Sequence, residues 1–401
     1  MTESDADAAQ PLRGVRVLDL TQLLSGPYAT QILADLGAEV IKIEQPGGDK
    51  ARGNGPFFEG KSSYFASLNR GKKSLALNLK NDSGLRVFQD LVRQSQVVVE
   101  NFRPGVAERL GIGFEQTRQW NPSVIYASCS GFGQTGPKAG LPALDIIIQA
   151  LAGTMSLTGE PGAPPLRAGF SVADIGAGMY LAMAILAALC RPPADAPAIH
   201  IDISMLDTQV ALLENAFARF FATGEVPQAT GTRHPVLAPF QSFEAADGRF
   251  VVAISTEEHW LKFIRAIGHP ELGDEAMFKT PAARLRHVDQ LEGILLPIFR
   301  TRSRECWITR LEAAEVPVAR INTVADTADD PDLRVREMFS EVQFGTARMK
   351  VVASPFHFNG RSLRALPVVA EFNGNQAEVL QEILHLNPQE ITRLDQEGAF
   401  A

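Results

Sequence analysis

Cysteine is scarce. Three thiols, Cys129, Cys190 and Cys306, stand far apart in 401 residues. That excludes a zinc quartet and a disulfide framework, and it fits a reducing compartment. Basic excess is also lacking. Lys and Arg total 38 against 46 Asp and Glu, a formal charge of −8. No global cationic field exists for nucleic acid or an anionic membrane, so a phosphate-bearing ligand needs a local cluster. Long apolar runs are missing too. The longest charge-free apolar stretch, Ile175 to Cys190, spans 16 residues and contains Gly176 and Gly178. It is short for a membrane span and reads as a buried core helix. Met1 to Gln10 is polar and acidic, without the charged-then-apolar order of a signal peptide. Together these absences predict a soluble cytoplasmic protein with no nucleic-acid or membrane partner.

Several catalytic signatures are absent as well. There is no GxSxG elbow and no P-loop. His200, His234, His259, His269, His287 and His357 are scattered without zinc-ligand spacing, so no metal site is expected. Gly131 to Gly136 matches GxGxxG, but a dinucleotide fingerprint opens the first βα turn, and this one comes far later. Pro137, Gly140 and Pro142 follow at once, so a tight glycine loop is the better reading.

What is present is ordinary globular composition, 45% hydrophobic and 21% charged, with length for two or three domains. Val15–Leu20, Glu39–Glu44, Ser74–Leu79, Val97–Asn101 and Val124–Cys129 read as strands. Helical spacing falls between them, from Gly26-Pro27 to Leu36 and over Gly84–Gln94. This βαβ rhythm predicts an α/β fold with a parallel sheet. From about Gly224 the pattern changes. Phe240–Glu244, Asp247-Gly248 and Arg249–Ile254 read as a hairpin with a type I′ turn, and helices are expected at Glu257–Ile267 and near Leu291–Phe299. The expected organisation is a large domain over 1–205, a smaller α+β domain over 225–325, and a return to the large domain over 335–401. Two short helices are expected at the end, Gln376–Leu386 and Gln389–Gln396.

Lys42, Lys72, Lys73, Arg103 and Arg109 recur at or just beyond the carboxyl ends of the predicted strands. Parallel sheets bind ligands there, and clustered cations suit a polyphosphate. Solvated surface charge is the plain alternative. Asp174 lies just before the apolar helix and reads first as its N-cap. The chemical alternative is a carboxylate kept ionised by the helix dipole, able to act as a nucleophile without a general base. Gly169 and Gly176 would leave room beside it for a substrate carbonyl.

The chain resembles the class III (family III) CoA-transferases, a group that also holds α-methylacyl-CoA racemase. The likeness spans nearly the whole length. It rests on GVRVLDLTQLLSGPYATQILADLGAEVIKIEQPGGD (14–49), SLNRGKKSLALNLK (67–80), VVVENFRPGVAERLG (97–111), SVIYASCSGFGQTGP (123–137), PPLRAGFSVADIGAGMY (164–180) and TRHPVLAPFQSFEAADGRF (232–250). The resemblance implies a large Rossmann-like domain, a small inserted α+β domain and an interlocked homodimer. It implies that Asp174 forms covalent acyl and CoA intermediates. Ser25 and Lys72 match positions lining the CoA cleft, and Asn101, Phe102 and Arg103 match a segment beside the nucleotide. Arg109 matches an arginine at the diphosphate and adenosine end, and Leu144 and Asp145 match a pair beside the thioester. Coenzyme A and acyl-CoA are then substrates, with no permanently bound cofactor.

The implied activity is transfer of CoA from an acyl-CoA, with succinyl-CoA one candidate donor, to a small carboxylic acid. An acyl-CoA racemase or an inert CoA-binding protein are the alternatives. The racemase branch carries a histidine where Leu144 stands, and leucine cannot move a proton. The formyl-CoA branch has a glycine run in the small domain, whereas residues 224–231 hold only Gly224 and Gly231. That speaks against an oxalate-specific enzyme. Arg52, Arg233 and His234 are candidates for the far carboxylate of a dicarboxylate such as succinate or itaconate.

Overall fold

Six short runs, several of them rich in Val and Ile, pair into one sheet. The structure, a computed structural model, describes residues 10–191, 196–363 and 366–400; of the N-terminal stretch examined for a signal pattern, residues 1–9 lie outside these. The strands are β1 (Arg16–Asp19), β2 (Glu39–Glu44), β3 (Lys73–Ala76), β4 (Val97–Glu100), β5 (Ile125–Ser130) and β6 (Ile199–Ser204). All pairings are parallel, in the order β3-β2-β1-β4-β5-β6. Strand order reverses between β1 and β4, and open sheets of this kind bind ligands outside the carboxyl ends at that point.

Helices cover both faces. Val97, Val99, Ile125 and Ala127 pack with α1 (Ser25–Asp35) and a long helix, Val172–Leu189, on one side. Val98, Val124, Tyr126 and Ile41 pack with α2 (Asp82–Arg93) on the other, joined by Val379, Leu380, Ile383 and Leu394 from the chain's end. β4 is therefore buried at every position, which is why it reads as an unbroken apolar run rather than an alternation. The end segment forms Gln376–Glu378, one π-type turn Val379–Ile383, and Pro388–Gln396, so the first of the two expected tail helices is shorter and wound differently.

The described residues divide into two compact units. One holds those within 10–154, 167–222 and 331–400; the other holds 155–166 and 223–330. In the second unit β7 (Phe240–Ala245), β8 (Gly248–Ala253) and β9 (Val318–Arg320) form an antiparallel sheet over Phe243, Phe250, Trp260, Phe263, Phe299 and Trp307. The hairpin turn differs from expectation. Gly248 pairs with Ala245, so the turn residues are Ala246 and Asp247, and neither has the positive φ that type I′ needs. The turn is instead held by outside bonds: Ala246 N–H to Arg302 C=O at 3.0 Å, and Arg304 N–H to the Asp247 carboxylate at 2.7 Å.

A further three-stranded sheet in the larger unit escaped the sequence reading: β10 (Phe339–Phe344), β11 (Ala347–Val352) and β12 (Val368–Val369). Phe344 and Met349 pack on Phe65, which fixes the short helix Ser63–Asn69 and with it Tyr64.

Candidate active site

The carboxyl ends of β1 and β4 define the first half of the site. The Leu20 N–H still donates to the Val99 C=O at 2.8 Å; beyond that point the strands part. Asn101 bridges the gap with its side chain. Its Oδ1 accepts the Gln22 N–H and its Nδ2 donates to the Gln22 C=O, both at 2.8 Å, imitating a strand partner. Outside this bridge lies a cavity of about 500 Å³ lined by Leu20, Ile43, Leu77, Leu79, Phe102 and Val106, with Lys50 and Lys80 at its edge. Phe102 is fixed by its own backbone, whose N–H donates to the Glu100 carboxylate at 2.7 Å. Glu100 is buried and also bonded to Ser128, whose hydroxyl meets His200 Nε2 at 2.9 Å. Burial pushes the Glu100 carboxyl up to about 7. An apolar slot edged by ammonium groups suits an aromatic base carrying phosphates.

The cations proposed for this place divide. Lys42 is buried between Asp49 (2.9 Å) and the Thr21 carbonyl (2.8 Å). Lys72 is buried too. Its Nζ donates to Asp19 and Asn69 (3.0 Å each), the Pro27 carbonyl (3.0 Å) and Thr30 (2.7 Å). With four acceptors this ammonium is engaged by the protein itself and ties β3 to β1 and α1, at a position where the resemblance implied a residue lining the CoA cleft. Lys73 pairs with Glu39 and Glu378, each at 2.7 Å. Arg103 and Arg109 are exposed and make no ion pair among the described residues, and Arg109 ends the turn Val106–Arg109 whose Val106 lines the cavity.

The second half of the site is built around the long apolar helix. α3 (Asp145–Ala152) precedes it, and α4 is Val172–Leu189. Among the described residues α4 is the one helix long and apolar enough to cross a membrane, yet its Ala173, Ala177, Leu181 and Ile185 sit in the sheet core. It begins earlier than expected. Ser171 is its N-cap residue and makes no capping bond, so Asp174 is not the cap but sits within the first turn. The cap comes from elsewhere: the Ala173 N–H donates to Asp145 Oδ1 at 2.9 Å. Asp145 Oδ2 accepts from Gln149 Nε2 at 2.6 Å, and Arg167 Nη2 stands 3.7 Å away.

Asp174 is half-buried, and no group among the described residues hydrogen-bonds its carboxylate. Burial first, and the Asp145 charge second, push it up to about 7. The expectation is that the helix dipole and backbone donors keep it ionised; burial instead favours its protonated form. The Ala173 N–H, one first-turn donor, goes to Asp145 rather than to Asp174. Tyr64, which the sequence reading passed over, is raised to about 12 by burial and by the charges of Asp174 and Asp49. Its hydroxyl therefore lies within Asp174's field.

Ser25 opens α1, is buried, and bonds the Cys129 thiol, which burial pushes up to about 12. Cys129 lies near the carboxyl end of β5 and also feels Asp174, so Asp174 stands at the same edge of the sheet as the cavity. Leu144 precedes α3 with 65% of its surface exposed. Gly176 does not clear space for a substrate. A Cβ there would stand 2.8 Å from Leu212, so it makes room for α5 (Met205–Leu212). Gly178 lets α4 approach α1, its Cβ position being 2.6 Å from the Ser25 carbonyl oxygen. Gly169 does face open space.

The arginines named for a far carboxylate are occupied. Arg52 grips Glu44 with two bonds (2.7 and 2.8 Å) and lies over the Phe65 ring. Arg233, in the second unit, is bound by Glu292 (2.6 Å) and Asp289 (2.8 Å). His234 stacks on Phe240. Among the described residues no cluster of three or more His, Cys, Asp or Glu is placed to hold a metal ion.

Comparison with known proteins adds three findings. The sequence profile described as CoA-transferase family III matches residues 12–369. Over 341 residues the chain is 41% identical to the acetyl-CoA:oxalate CoA-transferase of Acetobacter aceti (84% of this chain, 88% of that one), and over 355 residues it is 39% identical to the succinyl-CoA:mesaconate CoA-transferase of Haloarcula marismortui (86% and 89%). Its fold matches the crystal structure of a CAIB/BAIF family protein from Brucella suis with a TM-score of 0.82 and 34% identity, covering 93% of this chain and 99% of that one.

Proposed function

The chain belongs to CoA-transferase family III and is a CoA-transferase, and from that premise we propose that it moves CoA between carboxylic acids through covalent intermediates on Asp174. The observation that carries this reading is the state of Asp174. Its carboxylate is anchored in the first turn of a core helix, reachable from solvent, and free of hydrogen bonds from the described residues. A structural carboxylate would be bonded, as Asp145 is.

The chemistry follows from a desolvated carboxylate that is about half ionised near neutral pH. The ionised Asp174 oxygen attacks the donor thioester carbonyl, giving an acyl–aspartyl anhydride and CoA thiolate. The thiolate attacks the aspartyl carbonyl of the anhydride, giving an aspartyl–CoA thioester and releasing the donor acid. The acceptor carboxylate attacks that thioester, forming a new anhydride and thiolate, and the thiolate attacks the acceptor's carbonyl. The new acyl-CoA leaves and Asp174 is regenerated. Each exchange keeps an activated acyl bond, so one difficult transfer becomes four easier ones. Each tetrahedral oxyanion needs donors, and the Tyr64 hydroxyl and nearby backbone N–H groups are the candidates.

In this reading the cavity beyond Asn101 takes the nucleotide end of CoA, with Phe102 against the base and Lys50, Lys80, Arg103 and Arg109 toward the phosphates. Leu144 and Asp145 stand beside the thioester, and two chains form an interlocked homodimer. The sequence argument against oxalate is met by a 41% identical relative named for oxalate, so oxalate belongs among the acceptors tried. Leu144 supports transfer over racemisation.

The test is trapping. Wild-type protein incubated with acyl-CoA and then hydroxylamine or borohydride should carry a modification on Asp174 by peptide mass spectrometry. Asp174→Asn keeps the shape, loses the anion and should lose transfer while still binding CoA. Near-normal turnover by Asp174→Asn, verified free of deamidated protein, would overturn the assignment.

A further inference from the structure

We propose that Arg167 selects dicarboxylic acids as acceptors, its guanidinium taking the carboxylate that does not react. This rests on the reading of the chain as a transferase acting at Asp174.

The argument begins with charge. Asp145 lies close enough to Asp174 to disfavour its ionisation. A dicarboxylate entering that field brings a second negative charge besides the reacting one. Asp174 then carries CoA as a neutral thioester, but the Asp145 carboxylate still repels the second charge, so the diacid stays only where a cation meets the far end. Arg52 and Arg233 are bound to glutamates, and Lys72 is buried with four acceptors. Arg167 is different. Its Nη2 is 3.7 Å from Asp145 Oδ2, near enough for attraction but too long for a hydrogen bond. The Asp145 oxygens are already held by Ala173 and Gln149. The Arg167 N–H donors therefore have no hydrogen-bond partner among the described residues, and 47% of its side chain is exposed.

Its base is nonetheless fixed. Gln149, fully buried, donates to Asp145 through Nε2 and accepts the Ala168 N–H on Oε1 at 2.8 Å. One amide thus sets both the carboxylate beside Asp174 and the backbone next to Arg167. A planar guanidinium on a fixed backbone, with unused parallel donors, matches a carboxylate in bidentate geometry. Asp145 holds it loosely in place until the acceptor arrives.

The experiment compares acceptors with full-length protein, using succinyl-CoA and acetyl-CoA as donors. Glutarate, mesaconate and oxalate are set against butanoate and crotonate. The wild type should prefer the diacids. In Arg167→Met the preference, as the ratio of kcat/KM for diacid over monoacid, should fall roughly 10- to 100-fold, mainly through KM of the diacid, as expected for loss of charge-assisted bonds. Arg167→Lys should restore part of it. An equal loss on both acid classes would make Arg167 only a counter-ion of Asp145 and overturn the proposal, as would an unaltered ratio or a wild type indifferent to the second carboxylate. A wild type that transfers CoA to no acid would instead overturn the transferase reading itself.

Discussion

Asp145 caps the helix of Asp174: its Oδ1 receives the Ala173 N–H at 2.9 Å, one residue before the candidate nucleophile. The same carboxylate that completes the helix therefore also charges the neighbourhood. In the proposed mechanism transfer needs Asp174 ionised, and Asp174 is raised to about 7, so kcat/KM should climb with pH through that region. Asp145→Asn retains an oxygen for Ala173 and removes the charge. The acid limb should move to lower pH, though not to that of an ordinary aspartate, because burial remains the larger cause. A pH–rate profile that does not move in Asp145→Asn would show the two carboxylates to be uncoupled.

Lys72 and Arg109 should separate stability from binding. Removing the Lys72 ammonium leaves Asp19 buried without its closest cation. Lys72→Met should destabilise the fold by about 3–5 kcal/mol, the range for breaking a buried pair. Arg109→Ala should leave the melting temperature alone and weaken CoA binding by about 1–3 kcal/mol, less at high salt. Denaturation and calorimetric titration of both variants check this. A CoA defect without a stability defect in Lys72→Met would return that residue to the cleft.

Glu100 should make stability pH-dependent. Burial raises its carboxyl from 4.5 to about 7, so the folded chain keeps a proton that the unfolded chain releases between those values. Its contribution to stability therefore falls as pH rises from about 4.5 to about 7 and is flat above. Glu100→Gln keeps an oxygen for the Phe102 N–H and removes the titration. Relative to wild type, it should gain on the order of 1–3 kcal/mol between pH 5 and pH 8. Urea melts at the two pH values measure this; equal differences at both would mean that Glu100 is not held protonated.

The sheet strands were legible because both-face burial writes a continuous β-branched run, as in Val97–Val99, and Gly-Pro marked the start of α1. β6 was not read, since Ile199–Ser204 alternates His200 and Asp202 at the sheet edge and resembles a surface segment. The positions of functional side chains were less legible than their identities. Lys72 and Arg109 are both cations near strand ends, and only packing shows that one is enclosed by Asp19, Asn69 and Thr30 while the other faces solvent. Tyr64 carried no motif of its own; its place within Asp174's field comes from a helix held by β10 and β11, some 280 residues later in the chain.

The last prediction concerns assembly. α6 (Glu214–Thr223) has ten residues and not one is buried, although it contains Phe217, Phe220 and Phe221, the last 77% exposed. A helix of that length is marginal in water on propensity alone and normally needs an apolar face packed on something. Ile147 and Leu151 on α3 and Met183 on α4 are large apolar side chains that are exposed as well. A second copy of the chain is the partner expected from the homodimer reading. Sedimentation should give a single species of twice the 43.5 kDa chain mass that persists on dilution, because interlocked chains separate only by unfolding. Phe221→Glu, which places a charge on that face, should lower the yield of dimer or the melting temperature. A stable, folded 43.5 kDa species at low concentration would contradict the dimer and leave the exposed phenylalanines without a partner.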